Sequence, residues 1–342
     1  MRLPTVIDIP EVTNCGGQSL SQDFYDRLWT FYHEQDRSYQ WVSPIWNGML
    51  SGPLFPLKQA LDERNMEDIK HLLNSLYFHD LVYGLDIPGP RLPKEFFAQE
   101  LASLAYAQGC VSVLNKNQDK DTPISYAAIY DRVMSFVKPE LLNWPGQSGG
   151  VPGVRVGYSF MPLKLIEGLS MKTCVDRVLP QTHCTVEIGG GMGFDGYTFT
   201  RGIGRWYSID LPLVSVMQGF LLASAVGEQQ VSFAGESSLS NVINICGVRP
   251  CWNDMGDIDL ILNRNSLPEI PFSVGEQYLK AVESQLSEDG IFFSVNHESN
   301  SGDQVRVTDL VHSATDWNCY GRFPWWPMAG IMEGYVCEIF KP

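Results

Sequence analysis

The stretch from Thr185 to Asp210 constrains this chain more than any other. Val186-Glu187-Ile188 is a short apolar–acidic–apolar run that breaks into Gly189-Gly190-Gly191-Met192-Gly193. A second run, Trp206-Tyr207-Ser208-Ile209, ends in Asp210. Glycines at the end of a strand let the backbone pass close to a ligand, because no Cβ stands in the way. A helix that opens there points free N–H groups and a positive dipole end at the same place. A carboxylate closing the second strand stands where open α/β sheets bind ligands, and one such acceptor serves both hydroxyls of a ribose. The pattern predicts a doubly wound sheet holding a nucleoside-containing cofactor. A tight turn with no ligand is the bland alternative, and four glycines within five residues weigh against it.

Two cofactors could claim this geometry. Gly191-x-Gly193-x-x-Gly196, with Asp210 further on, satisfies the dinucleotide fingerprint and would suit NAD. Glu187 speaks against that reading, because a buried carboxylate beside a doubly anionic pyrophosphate is repulsive. S-adenosylmethionine carries an ammonium and a sulfonium, so an acid at this turn becomes useful. The turn also opens only after half the chain, whereas many nicotinamide enzymes begin with it. Charge favours the methyl donor.

With 342 residues the chain is long enough for one large domain or two smaller ones. A net charge of −15 argues against a nucleic-acid partner and against adsorption to an anionic membrane. A neutral or cationic small-molecule acceptor is more comfortable in that field. The opening Met1-Arg2-Leu3-Pro4-Thr5 reads as neither signal peptide nor anchor, and no window is apolar enough to span a bilayer. Eight scattered cysteines without a C-x-x-C pair suggest reduced thiols and a cytoplasmic protein, with no metal site.

The first half reads as helical. Phe24, Leu28 and Phe31 share a stripe between Gln22 and Glu34, and Ile69, Leu72, Leu73 and Leu76 share another. Pro44, Gly48, Gly52, Pro53 and Pro56 read as a loop between them. Helices are expected after Pro93, stopping at Gly109, and from Ile124 to Val137 before Pro139. The glycine-rich segment from Trp144 to Gly157 marks a seam, so the expected division is 1–144, a helical region, and 145–342, the cofactor domain. A helix over Leu163–Val178 leads in. After Asp210 come a helix over Val214–Val226 and strands at Gln230–Ala234, Ile258–Leu262 and Gly290–Val295. A short helix over Tyr278–Leu286 and a terminal strand over Gly334–Phe340 complete the alternation, which implies a parallel sheet.

Together these pieces resemble a class I S-adenosylmethionine-dependent methyltransferase, and more narrowly the bacterial sugar O-methyltransferase family. The resemblance is carried by Glu187-Ile188-Gly189-Gly190-Gly191-Met192-Gly193, by Ile209-Asp210-Leu211-Pro212 and by Asp259-Leu260-Ile261-Leu262-Asn263 with Ser266 and Glu269. Ser294-Val295-Asn296-His297-Glu298 completes it. It covers residues 145 to 300 well and the first half loosely. The bulky, polar Phe194-Asp195-Gly196-Tyr197 departs from the small residues usual in the family. The implied fold is a Rossmann-like α/β sheet of seven strands, mostly parallel, with a helical N-terminal region. The resemblance further implies that Gly189, Gly191 and Gly193 approach the methionine part of the cofactor and that Glu187 engages its ammonium through water. Asp210 would take the ribose hydroxyls, with Leu211 against the adenine, Glu236 on the adenine amino group and Asn263 near the emerging methyl.

O-methylation needs a hydroxyl held in near-attack geometry and a group that removes its proton. His297 follows the fifth strand directly, and Glu298 beside it would orient the imidazole; a surface-loop histidine would look the same. Glu269 and His79 are the reserves. Asp257, Asp259 and Glu298 are the acids a Mg²⁺ would need, but no metal-ligand spacing joins them. Arg322-Phe323-Pro324-Trp325-Trp326-Pro327, expected in a loop, suits either packing, an acceptor wall or a subunit contact in a homo-oligomer, with packing preferred. The expected activity is methyl transfer to a sugar or glycoside hydroxyl. Another small-molecule hydroxyl, a nicotinamide oxidoreductase and a non-catalytic scaffold are the rivals.

Overall fold

The computed structural model describes residues 3–16, 19–35, 42–87, 91–111, 123–200, 204–236, 242–248, 255–298, 304–325 and 334–342. Two short strands, β1 (Val6–Ile7) and β2 (Val12–Asn14), precede helix α1 (Gln22–Glu34). α1 runs over the residues its apolar stripe predicts. Ser21 caps it by accepting from the Phe24 N–H, and Phe24, Tyr25, Leu28, Phe31 and Tyr32 are buried. The expected loop between Pro44 and Pro56 is instead helical, as α2 (Pro44–Ser51) and α3 (Phe55–Asp62). Both prolines sit in a first helical turn, where a missing N–H costs nothing and the fixed φ is already correct. Next come α4 (Met66–Asn74) and α5 (Lys94–Ala107), the latter halted by Gly109 at φ 75°. The fourth expected helix is shorter than its pattern. Ile124–Ser125 forms β3, parallel to β1, and Ser125 then caps α6 (Tyr126–Met134).

The glycine-rich seam is packed. β4 (Pro152–Val156) pairs antiparallel with β2 on one side and with β5 (Ser159–Pro162) on the other. Gly149 adopts φ 78°, a left-handed backbone that disfavours a side chain, and a Cβ there would also lie 2.8 Å from Leu221 Cδ2. α7 (Leu163–Val178) occupies its expected span.

The main sheet has eight strands among the described residues, where seven were expected. They are β6 (Cys184–Ile188), β7 (Arg205–Ile209), β8 (Val231–Phe233), β9 (Ile243–Ile245), β10 (Ile258–Arg264), β11 (Leu286–His297), β12 (Asn318–Pro324) and β13 (Tyr335–Lys341). Their order is β12-β13-β11-β10-β6-β7-β9-β8, and β13 runs antiparallel to both neighbours. β9 and β12 are the strands that the pattern missed. β9 has only three residues, and β12 alternates exposed and half-buried positions at the sheet edge, so neither presents a sustained apolar signal. The helices between them are α8 (Phe194–Thr200), α9 (Pro212–Val226), α10 (Phe272–Glu283) and α11 (Val307–Ala314).

Alternation along β10 builds both faces. Ile261 joins Val186, Ile188 and Phe292 beneath α10 and α11. Leu260 and Leu262 face Met171 and Val175 of α7 and Phe199 of α8. The third and largest cluster unites the first half with α9. Phe24 and Phe31 meet Phe233 at 5.7 and 5.1 Å, and Tyr25 meets Phe220 at 6.1 Å. Among the described residues no helix is long and apolar enough to cross a membrane. Phe220 is fully buried. Phe220→Ala should cost about 3–5 kcal/mol of unfolding free energy, read as an earlier midpoint in urea denaturation.

Candidate functional site

β6 is flanked by β7 on one side and β10 on the other, so the chain leaves it in one direction and returns in the other. A crevice opens at the carboxyl ends of strands where order reverses this way. Its floor is the turn Gly189–Gly193, one wall is Asp210 and Leu211, and another is Arg264 to Ser266 with Glu269. Trp46, Gly84 and Leu85 close it from the first half of the chain.

Backbone hydrogen bonds hold the turn. The Gly189 N–H donates to Ile209 O at 2.8 Å and the Gly193 N–H to Gly190 O at 3.0 Å. Asp210 stitches both ends of the motif: Oδ2 accepts from the Gly191 N–H at 2.8 Å and Oδ1 from the Leu211 N–H at 2.7 Å. Burial pushes this carboxyl up to about 7, against the two N–H donors that pull it down. Gly189 is pressed so close to Ser266 that a Cβ would lie 2.0 Å from Oγ, whereas nothing stands within 4 Å of a Cβ at Gly191. Gly191 therefore presents bare backbone to the cleft.

Behind the turn lies a buried charge network. Arg264 Nη1 meets Glu167 Oε2 at 2.7 Å, Arg264 Nη2 meets Asp195 Oδ2 at 2.9 Å, and Lys164 Nζ meets Glu167 Oε2 at 2.8 Å. Burial alone would raise Glu167, but Lys164 and Arg264 together hold it below the ordinary carboxylate range. Glu187 differs. It is 2 % exposed, its Oε2 has no hydrogen-bond partner among the described residues, and burial reinforced by Asp195 drives it well above the usual range. Lys164, Arg264, Asp195 and Glu187 all line the cleft, which thus offers both signs of charge at one end.

The expected site residues divide sharply. Glu187, Gly189, Gly191, Gly193, Asp210, Leu211 and Glu269 converge on the cleft. Glu236 does not. It accepts from Arg27 Nε at 2.6 Å and Nη2 at 2.8 Å, because the strand beside β7 is β9 and not β8. Val248, just beyond β9, takes the place on the cleft wall. Asn263 is fully buried and pegs the strand ends, donating to Ile188 O at 2.7 Å and accepting from Asn296 at 2.7 Å.

His297 faces Tyr335 with ring centroids 5.8 Å apart, is lowered by burial, and lies off the described cleft wall. Glu298 pairs with Arg322, and His79 with Ser75 Oγ at 3.0 Å. Asp259 accepts from the His183 and Cys184 N–H groups, and no cluster of three metal-ligating side chains occurs among the described residues. In the aromatic run, Arg322–Pro324 belongs to β12 and Trp325 is buried against Phe293; Trp326 and Pro327 lie outside the described residues.

Arg264, Lys164 and Trp46 are among the cleft residues that escaped the sequence reading. Arg264 follows Asn263 at the same strand end and could have been found there. Lys164 opens α7, and Trp46 sits on α2, where nothing local marks either. Trp46 Nε1 donates to Glu269 Oε2 at 3.1 Å, joining the first half of the chain to the cleft.

No protein-family model and no curated protein matches the chain. Among solved structures it overlaps the mitomycin 7-O-methyltransferase MmcR at 10 % identity and TM-score 0.35, over 52 % of this chain and 57 % of that one. It overlaps LepI in complex with SAM at 14 % identity and TM-score 0.32, over 48 % of this chain and 44 % of that one. For the glycopeptide N-methyltransferase MtfA the values are 12 % and 0.37, over 51 % of this chain and 90 % of that one. The chain thus spans about half the length of the first two. Overlaps of this extent leave the assignment to the residues of the cleft itself.

Asp210 makes a prediction about pH. Its folded carboxyl titrates near 7 and its ordinary value is 3.8, so the folded state binds the proton more tightly. Its contribution to stability is full below about pH 4 and is lost as pH rises through about 7. Asp210→Asn removes that titration. Unfolding free energies measured across this window should fall for the parent relative to the variant.

Proposed function

We propose that the chain is an S-adenosylmethionine-dependent O-methyltransferase acting on a small-molecule hydroxyl. One observation carries the reading: carboxylates Glu187 and Asp210 flank a glycine turn whose Gly191 opens directly onto the cleft. A diphosphate on this turn would meet the acid Glu187 at close range, whereas a nucleoside with a cationic tail would use it, and Asp210 serves the ribose. The fit extends to the far end. Asp210 has spent one hydrogen bond per oxygen on the backbone, and each oxygen keeps acceptor capacity for a ribose hydroxyl. Leu211 and Val248 offer apolar surface for the adenine. Lys164 and Arg264 beside Glu187 suit the carboxylate and ammonium of an amino-acid end. When bound, the cofactor supplies an electrophilic methyl group.

The residues of the chain have the remaining tasks. Of the acid–base candidates, Glu269 lines the cleft. Burial raises its carboxyl and so strengthens it as a base, while the Trp46 N–H opposes the shift. Trp46 holds Oε2, which leaves Oε1 to take the acceptor hydroxyl's proton. Trp46 and Leu85 form an apolar wall suited to the C–H face of a sugar ring, and we favour a sugar or glycoside hydroxyl. Another small-molecule hydroxyl on a flat ring would use the same wall. In this reading residues 1–144 cover the acceptor end and 145–342 hold the cofactor, in a cytoplasmic enzyme.

Thermal-shift measurements test the cofactor: S-adenosylhomocysteine should raise the melting temperature, NADH should not, and Asp210→Ala should abolish the shift. Stabilisation by NADH alone would overturn the reading. With methyl-labelled S-adenosylmethionine and a panel of glycosides and phenols, label should enter a glycoside, and Glu269→Gln should slow that transfer by about 100-fold or more.

A further inference from the structure

Beneath the glycine turn, three polar atoms from three elements crowd one point. A Cβ built on Gly190 would lie 2.4 Å from Gln218 Nε2, 2.5 Å from Glu187 Oε2 and 2.5 Å from Ser208 Oγ. Gln218 belongs to α9, Ser208 to β7 and Glu187 to β6. Gln218 and Ser208 are fully buried. None of these three atoms has a hydrogen-bond partner among the described residues, nor has Gln218 Oε1. Unpartnered buried polar atoms are uncommon and costly, so several converging on one spot point to a shared task.

The task follows from where each side chain stands. Glu187 lines the cleft; Gln218 and Ser208 are not among the residues that line it and are fully buried next to Gly190. We infer that Gln218 and Ser208 are positioning residues: they stand unpartnered beside Glu187, and by turning to donate to it when the ligand binds they sustain its carboxylate and aim it at the cationic end of the ligand. This rests on the reading of the cleft as an S-adenosylmethionine site.

The surrounding charges explain why such donors matter. Glu187 is faced by Asp195 of α8, by Asp210 beyond β7 and by Arg264 of β10. Burial and the two acids favour the neutral form, and the guanidinium is the sole charged group among these that opposes them. A neutral amide N–H and a hydroxyl can tip the balance toward the carboxylate without adding another buried charge. They also spare Arg264, which is already committed to Glu167 and Asp195. Glycine at 190 is required because any side chain would fill the point where the three groups meet.

Isothermal titration calorimetry separates this role from a structural one. The parent protein, Gln218→Leu and Ser208→Ala are titrated with S-adenosylhomocysteine and with 5′-methylthioadenosine, which shares the adenosine end and lacks the amino-acid part. Gln218→Leu should weaken S-adenosylhomocysteine about tenfold, and Ser208→Ala by less, because a hydrogen bond to a charged group is lost. Both should leave 5′-methylthioadenosine within about twofold of the parent affinity. Without its donor Glu187 keeps its proton to higher pH, so the acid limb of S-adenosylhomocysteine affinity should move upward.

Unchanged affinity and pH profile would overturn the inference, and so would equal weakening of both nucleosides. If the parent protein binds no S-adenosylhomocysteine, the cofactor reading itself falls and takes this inference with it. Should Gln218→Leu not fold, Gln218→Met carries the same comparison.

Discussion

A charge in the interior is tolerable only when another group answers it, and the centre of this molecule is arranged around that demand. Glu167 comes from α7, Asp195 from α8 and Arg264 from the end of β10, and their ion pairs lie almost wholly out of solvent. Removing one partner of such a network leaves an uncompensated charge and costs roughly 3–5 kcal/mol. The network therefore fixes how two helices sit on the carboxyl ends of the central strands. The cleft inherits its floor from that placement.

The glycine turn is the second half of the same arrangement. Gly189 is pressed on Ser266, Gly193 on Leu222 of α9, and Gly190 on the polar trio below, so no side chain can grow there without displacing a neighbour. Gly191 alone among them faces open space, and Asp210 pins it through its N–H. What results is a strip of backbone held rigidly between two carboxyl groups, one reaching up from each of two adjacent strands.

The stretch from Thr185 to Asp210 was legible because its chemistry is local: strand, glycines and carboxylate lie within thirty residues of one another. α1 and α7 were equally readable from stripe and flank. The rest depends on contacts that no local pattern encodes. β9 is three residues long, yet its insertion beside β7 moves β8 one place outward and carries Glu236 away from the cleft to Arg27. Prolines 44 and 56 read as breakers although each starts a helix. Asn263 and Arg264 are sequence neighbours with opposite fates, because alternation along a strand sends one inward as a peg and the next into the ligand space. Trp46 reaches the cleft from more than two hundred residues before its partner Glu269.

The place where Glu236 ends up has its own significance. Among the described residues β8 is the outermost strand on its side of the sheet, the kind of border that invites another chain to add itself by main-chain pairing. Arg27 lies across that border, its guanidinium donating to the carbonyls of Val231 and Glu228 while Glu236 holds it in place. The rings of Phe24 and Phe233 both pack against it, with centroids 5.2 and 5.4 Å from the guanidinium carbon. One arginine thus occupies the Val231 carbonyl that a foreign strand would need, so this border of the sheet is guarded by a side chain from the far end of the polypeptide.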